Sequence, residues 1–288
     1  MKVAIIGGSG KMGRWFARFL LEEGREVVIT GRNEEKLRAA GEQLGVRVAS
    51  NVEAVQGAEV VLIAVPIDSF EAVVKELAPH LTPEQMVIDI TSIKVFPVET
   101  MHKYIKTGVV LGTHPVFGPG AKSLRNQNFV LTPAGEKETA LAEKISKYLE
   151  ERGAKVTLMT PREHDEMMAV ILGLCHFIAI AAADTLLNFD LKEMKAIGGP
   201  TYKILLTLAE SVVTEDAGLY ASLQMNLPGI AEAEELFLKS SKSWAEIVKN
   251  QDKAQFIRKM KALKDRLERD DPDFGRSYES LYGLLDKP

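Results

Sequence analysis

The stretch VAIIGGSGKMG, residues 3–13, decides the fold. Its first five residues form an apolar run typical of a buried strand, and its last six form a G-x-G-x-x-G pattern. Apolar side chains recur at helical spacing from Lys11 to Glu23. A strand, a glycine-rich turn and a helix in this order are typical of a dinucleotide-binding unit, and a plain glycine-rich turn is the alternative.

Each glycine of the pattern has an expected task. We predict that Gly8 permits the tight turn, that Gly10 lets the backbone approach a pyrophosphate, and that Gly13 lets the helix pack closely on the strand. The free N–H groups at the start of the helix would bind the phosphates. The residues expected to contact the nucleotide here are Gly8, Ser9, Gly10, Lys11 and Met12.

The end of the second predicted strand indicates which nucleotide binds. A site for NAD usually has an acidic residue about 20 positions after the glycines, where it accepts hydrogen bonds from the ribose. This chain instead has Gly31, Arg32 and Asn33 there. No carboxylate would repel a phosphate, and Arg32 can bind one through paired donors. We therefore predict NADP as the preferred cofactor, with NAD also possible.

The two halves of the chain have different patterns. Strands and helices alternate up to residue 160, and the continuous apolar strands indicate a parallel sheet covered on both faces. Beyond Pro161 no strand pattern is convincing, and helices are predicted over 163–188, 190–213, 216–225, 228–249 and 252–269. The sequence predicts an α/β fold with a doubly wound dinucleotide-binding domain (1–160) and an all-α substrate and dimerisation domain (161–288). No structure is predicted for 270–288.

Composition excludes several classes of protein. The 288 residues carry 36 Lys and Arg against 40 Asp and Glu, a net charge of -4 that argues against a nucleic-acid partner. Cys175 is the only cysteine, which excludes a disulfide scaffold and a cysteine-based zinc site. The N-terminus does not resemble a secretory signal, and we expect a cytoplasmic protein. The uncharged stretch Met167–Ala183 is slightly short for a membrane span, so we expect a domain core or subunit interface there.

Three predicted strand ends offer chemistry at the edge where doubly wound sheets bind ligands. Ala64, Val65 and Pro66 close the first of these strands, and Asp89–Lys94 close the second. Ala64, Val65, Pro66 and Thr91 are expected beside the cofactor. The third such end, Gly112–Gly120, contains His114 next to a proline, which would give its ring a fixed direction. We predict that His114 is catalytic.

The other histidines carry weaker signals. His80 and His102 lie in polar surroundings and are expected on the surface. We expect His164 to cap or pack the start of the long helix. His176, on the apolar helix, fits either a hydrogen-bonded core residue or a residue facing a cleft. A hydrolase triad is disfavoured because Ser92 lacks the G-x-S-x-G elbow.

Several segments together resemble the prephenate/arogenate dehydrogenases of tyrosine biosynthesis. The segments are GGSGKMG (7–13), DITSIK (89–94), THPVFGP (113–119), REHDEMMAVILGLCH (162–176) and GLYASLQMNLP (218–228). The TGR ending of the second strand (30–32) is similar to archaeal-type members. The resemblance implies a Rossmann domain and oxidative decarboxylation of prephenate or arogenate, giving 4-hydroxyphenylpyruvate or tyrosine.

The resemblance also implies roles for single residues. His114 would draw the proton from the substrate hydroxyl as hydride leaves. Ser92 would hydrogen-bond both His114 and that hydroxyl, and His176 would lie near the nicotinamide or the substrate. Lys94 matches a basic position of the family and is a candidate for binding substrate or organising the charge of the cleft.

One departure from the family concerns how the substrate carboxylates are held. Many relatives have an arginine after a tyrosine in the helical domain, where this chain has Tyr202 and Lys203. Lysine lacks the bidentate fork of arginine, so Lys203 would bind a carboxylate as a point charge. Arg125 is a further candidate.

Two alternatives stay open at this stage. The N-terminal pattern is also similar to deazaflavin-dependent NADP reductases, which are shorter and lack the His-Pro loop followed by a helical domain. The other alternative is a non-catalytic protein that senses NADP on the same scaffold. In either case the apolar long helix predicts a homodimer.

Overall fold

The structure is a computed structural model that describes residues 1–285, and the chain forms two compact units. The first unit comprises Met1–Met168 and Met225–Leu227, and the second comprises Ala169–Gln224 and the chain from Pro228 onward.

An eight-stranded sheet in the order β3-β2-β1-β4-β5-β6-β7-β8 forms the centre of the first unit. The strands are β1 (Lys2–Ile6), β2 (Glu26–Ile29), β3 (Arg47–Val48), β4 (Val60–Ile63), β5 (Met86–Asp89), β6 (Val109–Pro115), β7 (Asn128–Thr132) and β8 (Lys155–Leu158). Strands β1 to β6 are parallel, β7 runs antiparallel to β6, and β8 is parallel to β7. The order 3-2-1-4-5-6 is that of a doubly wound dinucleotide-binding sheet, which confirms the predicted fold class.

Helices cover both faces of this sheet. They are α1 (Lys11–Glu22), α2 (Glu34–Leu44), α3 (Asn51–Val55), α4 (Ile67–Leu77), α5 (Val95–Tyr104), α6 (Glu136–Glu150) and α7 (Pro161–Met168). Alternate residues of β1 explain the two layers: Val3 and Ile5 pack with Trp15 and Phe16 of α1, whereas Ala4 and Ile6 belong to the opposite core.

The second unit is helical over its described residues, as the sequence predicts. A π-helical segment (Ala169–Leu174) leads into α8 (Cys175–Leu186), and the helices that follow are α9 (Leu191–Ile197), α10 (Pro200–Val213), α11 (Ala217–Asn226), α12 (Ile230–Lys249), α13 (Lys253–Asp270) and α14 (Ser277–Leu285). The single helix predicted over 190–213 was wrong. It is interrupted at Gly198 and Gly199, and Pro200 begins α10, because proline is favoured in a first helical turn.

One helical run, Pro161–Leu186, is long and apolar enough to cross a bilayer by length and composition. Within it, 22% of the most apolar 18-residue window is buried in the chain. Helices at the core of soluble proteins have the same length and composition.

A buried ion pair joins β5, the start of α5 and β6. Lys94 and Asp89 are both fully buried and in direct contact. The Lys94 ammonium also donates to the Thr113 carbonyl at 2.7 Å and to the Thr91 hydroxyl at 3.2 Å, so all three of its N–H groups have acceptors. Burial lowers the pKa of Lys94, and the Asp89 carboxylate opposes that shift. The proposed role of Lys94 in binding substrate was wrong, because its charge is enclosed and already paired.

We expect Lys94→Met to lower the free energy of unfolding by about 3–5 kcal/mol, because Asp89 becomes a buried charge without its partner. The double variant Asp89→Asn/Lys94→Met should regain most of that loss, since both charges are gone. Urea unfolding in a Trp244→Phe background, with Trp15 as the fluorescent probe, measures the effect. Lys75→Met, at a half-exposed pair with Glu71, is the matched control and should lose less than about 1 kcal/mol. An equally small loss for Lys94→Met would contradict the assignment.

Candidate active site

The turn between β1 and α1 is built from glycines that side chains could not replace. Gly7 has a φ of +84°, and a Cβ there would lie 2.5 Å from the Ala64 carbonyl oxygen. The tight turn thus depends on Gly7, and the prediction that Gly8 makes it was wrong. Gly8 is required for a different reason, because a Cβ there would meet Ile29 at 2.6 Å. Sequence spacing alone missed Gly7, which lies just before the motif.

Close packing of the helix on the turn is present as predicted. A Cβ on Gly13 would lie 2.5 Å from the Gly7 carbonyl oxygen, whereas one on Gly10 would lie 3.2 Å from the same atom. Gly10 is the residue before the first turn of α1, and no side chain caps that helix end. The backbone N–H groups at the start of α1 are therefore not capped by a side chain, which fits an anionic pyrophosphate.

A cleft of about 370 Å³ opens beside this turn. Its lining includes eight of the twelve residues predicted to bind the nucleotide, namely Ser9, Gly10, Gly31, Arg32, Asn33, Ala64, Val65 and Pro66, and it also includes Gly7. Four others do not line it: Gly8 is buried against Ile29, Lys11 is exposed, Met12 packs against the core, and the Thr91 hydroxyl is turned inward to Asp89 at 2.6 Å.

The charge of the cleft is positive at the end of β2. Arg32 is exposed there, and its guanidinium has no hydrogen bond or ion pair with any described residue. Asn33 caps α2 by accepting from the Lys36 N–H at 2.8 Å. Among the residues of the described chain that line the cleft, none is acidic. Thr30, which sequence reasoning did not single out, accepts from the Gly7 N–H at 3.3 Å and donates to Asn51 at 2.7 Å.

His114 lies two strands from the end of β4, at the same edge of the sheet. It was expected in a loop, but β6 continues through Pro115 and His114 pairs with Val130 of β7. The following loop is tied to α1, because the Trp15 indole donates to the Ala121 carbonyl at 2.6 Å. Only 4% of His114 is exposed. The sheet thus fixes the backbone position of His114.

The nearest polar partner of His114 is another histidine. His114 Nδ1 lies 2.8 Å from His164 Nε2, and His164 Nδ1 lies 2.7 Å from an oxygen of Asp165. His164 is fully buried at the start of α7. The expectation that His164 only caps or packs its helix was therefore incomplete, since it joins that helix to His114. The adjacent pair His164-Asp165 was the sequence signal that could have identified this arrangement.

Ser92 does not make the hydrogen bond expected of it. The Nδ1 atom of His114 is engaged by His164, and the half-buried Ser92 hydroxyl has no hydrogen bond to any described residue. The bond from Ser92 to His114 that the family resemblance implied is thus absent. Ser92 follows β5, the strand next to β6, so its hydroxyl belongs to the same edge of the sheet as His114.

Burial controls the charge of both paired histidines. It holds the pKa of His114 well below the ordinary histidine value, and the neighbouring His164 and Lys94 lower it further. Burial also lowers the pKa of His164, against the opposing effect of the Asp165 carboxylate. Both rings are therefore neutral near pH 7.

The second unit holds polar atoms that lack partners. The buried atoms without a hydrogen bond there are His176 Nδ1, the Tyr202 hydroxyl and Gln224 Oε1. His176 also contacts the edge of the Tyr220 ring, with ring centroids 4.7 Å apart, and burial lowers its pKa. The Gln224 amide donates to the Gly173 carbonyl, at the π-helical segment, at 2.9 Å. The Tyr202 hydroxyl and Gln224 Oε1 can thus still form hydrogen bonds. Both residues belong to the domain that the sequence predicts to bind substrate.

Two candidate carboxylate ligands are exposed cations. Lys203 on α10 forms no ion pair or hydrogen bond with a described residue. Arg125 is exposed in the first unit, next to Gly153 and the start of β8. The start of β8 lies at the edge where β6 ends, since β7 and β8 run opposite to β6.

Family models match both parts of the chain. The model described as prephenate dehydrogenase, nucleotide-binding domain matches residues 16–158, and that described as prephenate dehydrogenase, dimerization domain matches residues 160–262. A crystal structure of prephenate dehydrogenase from A. aeolicus in complex with hydroxyphenyl propionate and NAD⁺ is similar with a TM-score of 0.77. That match covers 94% of this chain and 98% of the other at 21% identity, and it shows the fold.

Curated relatives are similar at higher identity. The chain is 40% identical over 266 residues to a probable arogenate/prephenate dehydrogenase of Methanocaldococcus jannaschii, covering 91% of this chain and 60% of that protein. It is 32% identical over 229 residues to the T-protein of Haemophilus influenzae, covering 78% of this chain and 56% of that protein. The matches thus span less than two thirds of these relatives' length. Since family models for both domains match, the chain belongs to the prephenate dehydrogenase family.

Proposed function

We propose that the protein is a dehydrogenase that oxidises and decarboxylates prephenate or arogenate with a nicotinamide dinucleotide. The observation that carries this proposal is the neutral, oriented ring of His114 at the sheet edge that also holds the glycine cradle. The products would be 4-hydroxyphenylpyruvate or tyrosine, and the reaction would belong to tyrosine biosynthesis. The cytoplasm remains the location that we propose for the protein.

The glycine turn and the cleft fit the dinucleotide. Gly8, Ser9, Gly10, Lys11 and Met12 would surround the pyrophosphate, with backbone N–H groups of the turn and α1 as donors. Ala64, Val65, Pro66 and the Thr91 backbone would border the nicotinamide half. When bound, the nicotinamide supplies the hydride acceptor. Gly31, Arg32 and Asn33 would hold the adenosine ribose, and the unpaired Arg32 supports a preference for NADP.

His114 would act as the general base. Its neutral ring can accept the proton of the substrate hydroxyl while hydride leaves the same carbon. Loss of the ring carboxylate as carbon dioxide then gives an aromatic ring, which supplies the driving force. The unpaired Ser92 hydroxyl would hydrogen-bond the substrate hydroxyl.

Substrate groups would be bound mainly by the cations and unpaired polar atoms already described. Lys203 and Arg125 are free to bind carboxylates, and the Tyr202 hydroxyl and His176 Nδ1 lack partners within the described chain. We propose that residues 1–160 are the nucleotide-binding domain and that residues 161–288 are a substrate and dimerisation domain. Strongly exposed apolar side chains such as Ile197 and Met225 support the dimer.

The wild-type protein is expected to reduce NADP when mixed with prephenate or arogenate, as followed by absorbance at about 340 nm. His114→Asn should lower kcat by about 10²–10⁴-fold and leave nucleotide affinity unchanged, because only proton transfer is lost. His80→Asn, at an exposed histidine, is the control and should keep full turnover. Unchanged turnover in His114→Asn would remove His114 as the base. No reduction with either acid and either nucleotide would favour the non-catalytic, NADP-sensing alternative.

We expect Arg32→Ala to weaken NADP binding at least about tenfold and to leave NAD binding nearly unchanged, because only NADP carries the phosphate that the guanidinium would hold. Calorimetric titration with each nucleotide measures both affinities. The control is Arg38→Ala, which removes an exposed arginine of α2 outside the cleft. Tighter binding of NAD than NADP to the wild type would contradict the proposed preference.

A further inference from the structure

We infer that His164 and Asp165 are positioning residues that hold His114 in the tautomer with its proton on Nδ1, leaving Nε2 as the acceptor. This inference rests on the proposed function for its catalytic meaning, whereas the tautomer itself is a property of the protein. The three residues all lie in the first unit, and their order of hydrogen bonds fixes the position of each proton.

Asp165 determines the direction of the first hydrogen bond. Its two oxygens accept from the backbone N–H groups of Lys94, at 2.6 Å, and Val95, at 2.9 Å. These donors lie at the start of α5, where the helix dipole favours negative charge. A carboxylate held in this way can only accept, so the contact of 2.7 Å with His164 requires a proton on His164 Nδ1.

His164 passes this constraint to His114. A neutral ring with its proton on Nδ1 has a lone pair on Nε2. That lone pair lies 2.8 Å from His114 Nδ1, which must therefore carry the hydrogen. His114 Nε2 is left without a proton, and it has no hydrogen bond to any described residue. This is the atom that can accept the proton of a substrate hydroxyl.

Burial, assisted by the charge of Lys94, keeps both rings neutral. The ionisable groups that face the pair are Asp89 and Lys94, from the end of β5 and the start of α5, and Asp165 from α7. Lys94 lowers the pKa of both rings, and Asp89 and Asp165 raise that of His164 less than burial lowers it. Since the pKa of His114 is below the ordinary histidine value of about 6.5, the neutral base persists as pH falls through 6.5 and is lost only at lower pH.

The reaction would use this arrangement in one step. The substrate O–H bond breaks, its proton forms a new bond to His114 Nε2, and its electron pair forms a C=O bond as hydride leaves that carbon for the nucleotide. Loss of carbon dioxide would then turn this oxygen into a phenolate, to which His114 would return the proton. The imidazolium so formed keeps its Nδ1 hydrogen bond to His164, whose ring is in turn oriented by Asp165. The positive charge is thus stabilised without moving a second proton.

The test reads the tautomer directly. Nitrogen-15 spectra of protein labelled in histidine and saturated with nucleotide, at about pH 8, distinguish Nδ1–H from Nε2–H rings. The His114 signals are assigned by their loss in His114→Asn. We expect the Nδ1–H form in the wild type. Asp165→Asn replaces an acceptor by a donor, so we expect the His114 signals to shift to the Nε2–H form.

Kinetics give a second readout. Asp165→Asn should lower kcat by about 10²-fold or more with little change in KM or nucleotide affinity, because a ring with hydrogen on Nε2 cannot accept the proton. Glu138→Gln is the matched control. Glu138 also accepts from a histidine, His102 at 2.6 Å, and from a backbone N–H, that of Ala134 at 2.8 Å. We expect it to keep both the His114 tautomer and kcat.

A further variant pair covers the case in which Asp165→Asn does not fold. His164→Gln can still accept from His114 Nδ1 and should retain more activity than His164→Leu, which cannot. An Nε2–H signal for His114 in the wild type would overturn the inference while leaving turnover intact. An equal loss of activity in His164→Gln and His164→Leu would also overturn the inference. Failure of the proposed function is distinguishable, because it appears as absent turnover in a wild type with the Nδ1–H signal.

Discussion

The hydrogen bond between His114 and His164 joins a strand of the sheet to the start of the helix that follows β8. Pairing of β6 with β7 fixes the backbone of His114 opposite Val130, but a strand leaves the ring free to rotate about its side-chain bonds. The bond to His164 removes that freedom and selects one nitrogen as the acceptor. The chemistry assigned to this edge of the sheet therefore depends on a contact between residues 50 positions apart.

A buried ion pair lies beside the hydrogen bond between His114 and His164. Lys94 and Asp89 lie fully buried beside the histidine pair, and the Lys94 ammonium holds the carbonyl of Thr113, the residue before His114. Ion pairs in such places contribute little net stability over apolar packing, but removing one partner is strongly destabilising. The Lys94 ammonium also disfavours a positive charge on the ring of His114 or His164. Lys94 thus helps to position His114 and to keep its ring neutral.

Much of the fold could be predicted from the sequence because it is encoded locally. The glycine pattern, the apolar strands and the change of pattern at Pro161 identified the doubly wound sheet and the helical half. What local pattern could not supply was the partner of each polar group. Lys94 was interpreted as a ligand of the substrate because the sequence could not show its burial, which depends on β5 and β6 enclosing it. Ser92 was paired with His114 because the family resemblance implied that bond, and the sequence could not show that His164, 50 positions away, occupies that nitrogen.

His114 Nε2 is expected to face the reacting hydroxyl as an acceptor. A crystal structure of the protein with bound nucleotide and a hydroxyphenyl acid measures this most directly. We expect the ligand hydroxyl to lie about 2.6–3.2 Å from His114 Nε2, with His164 still hydrogen-bonded to Nδ1. A hydroxyl bound elsewhere, with Nε2 of His114 facing packed protein, would contradict it.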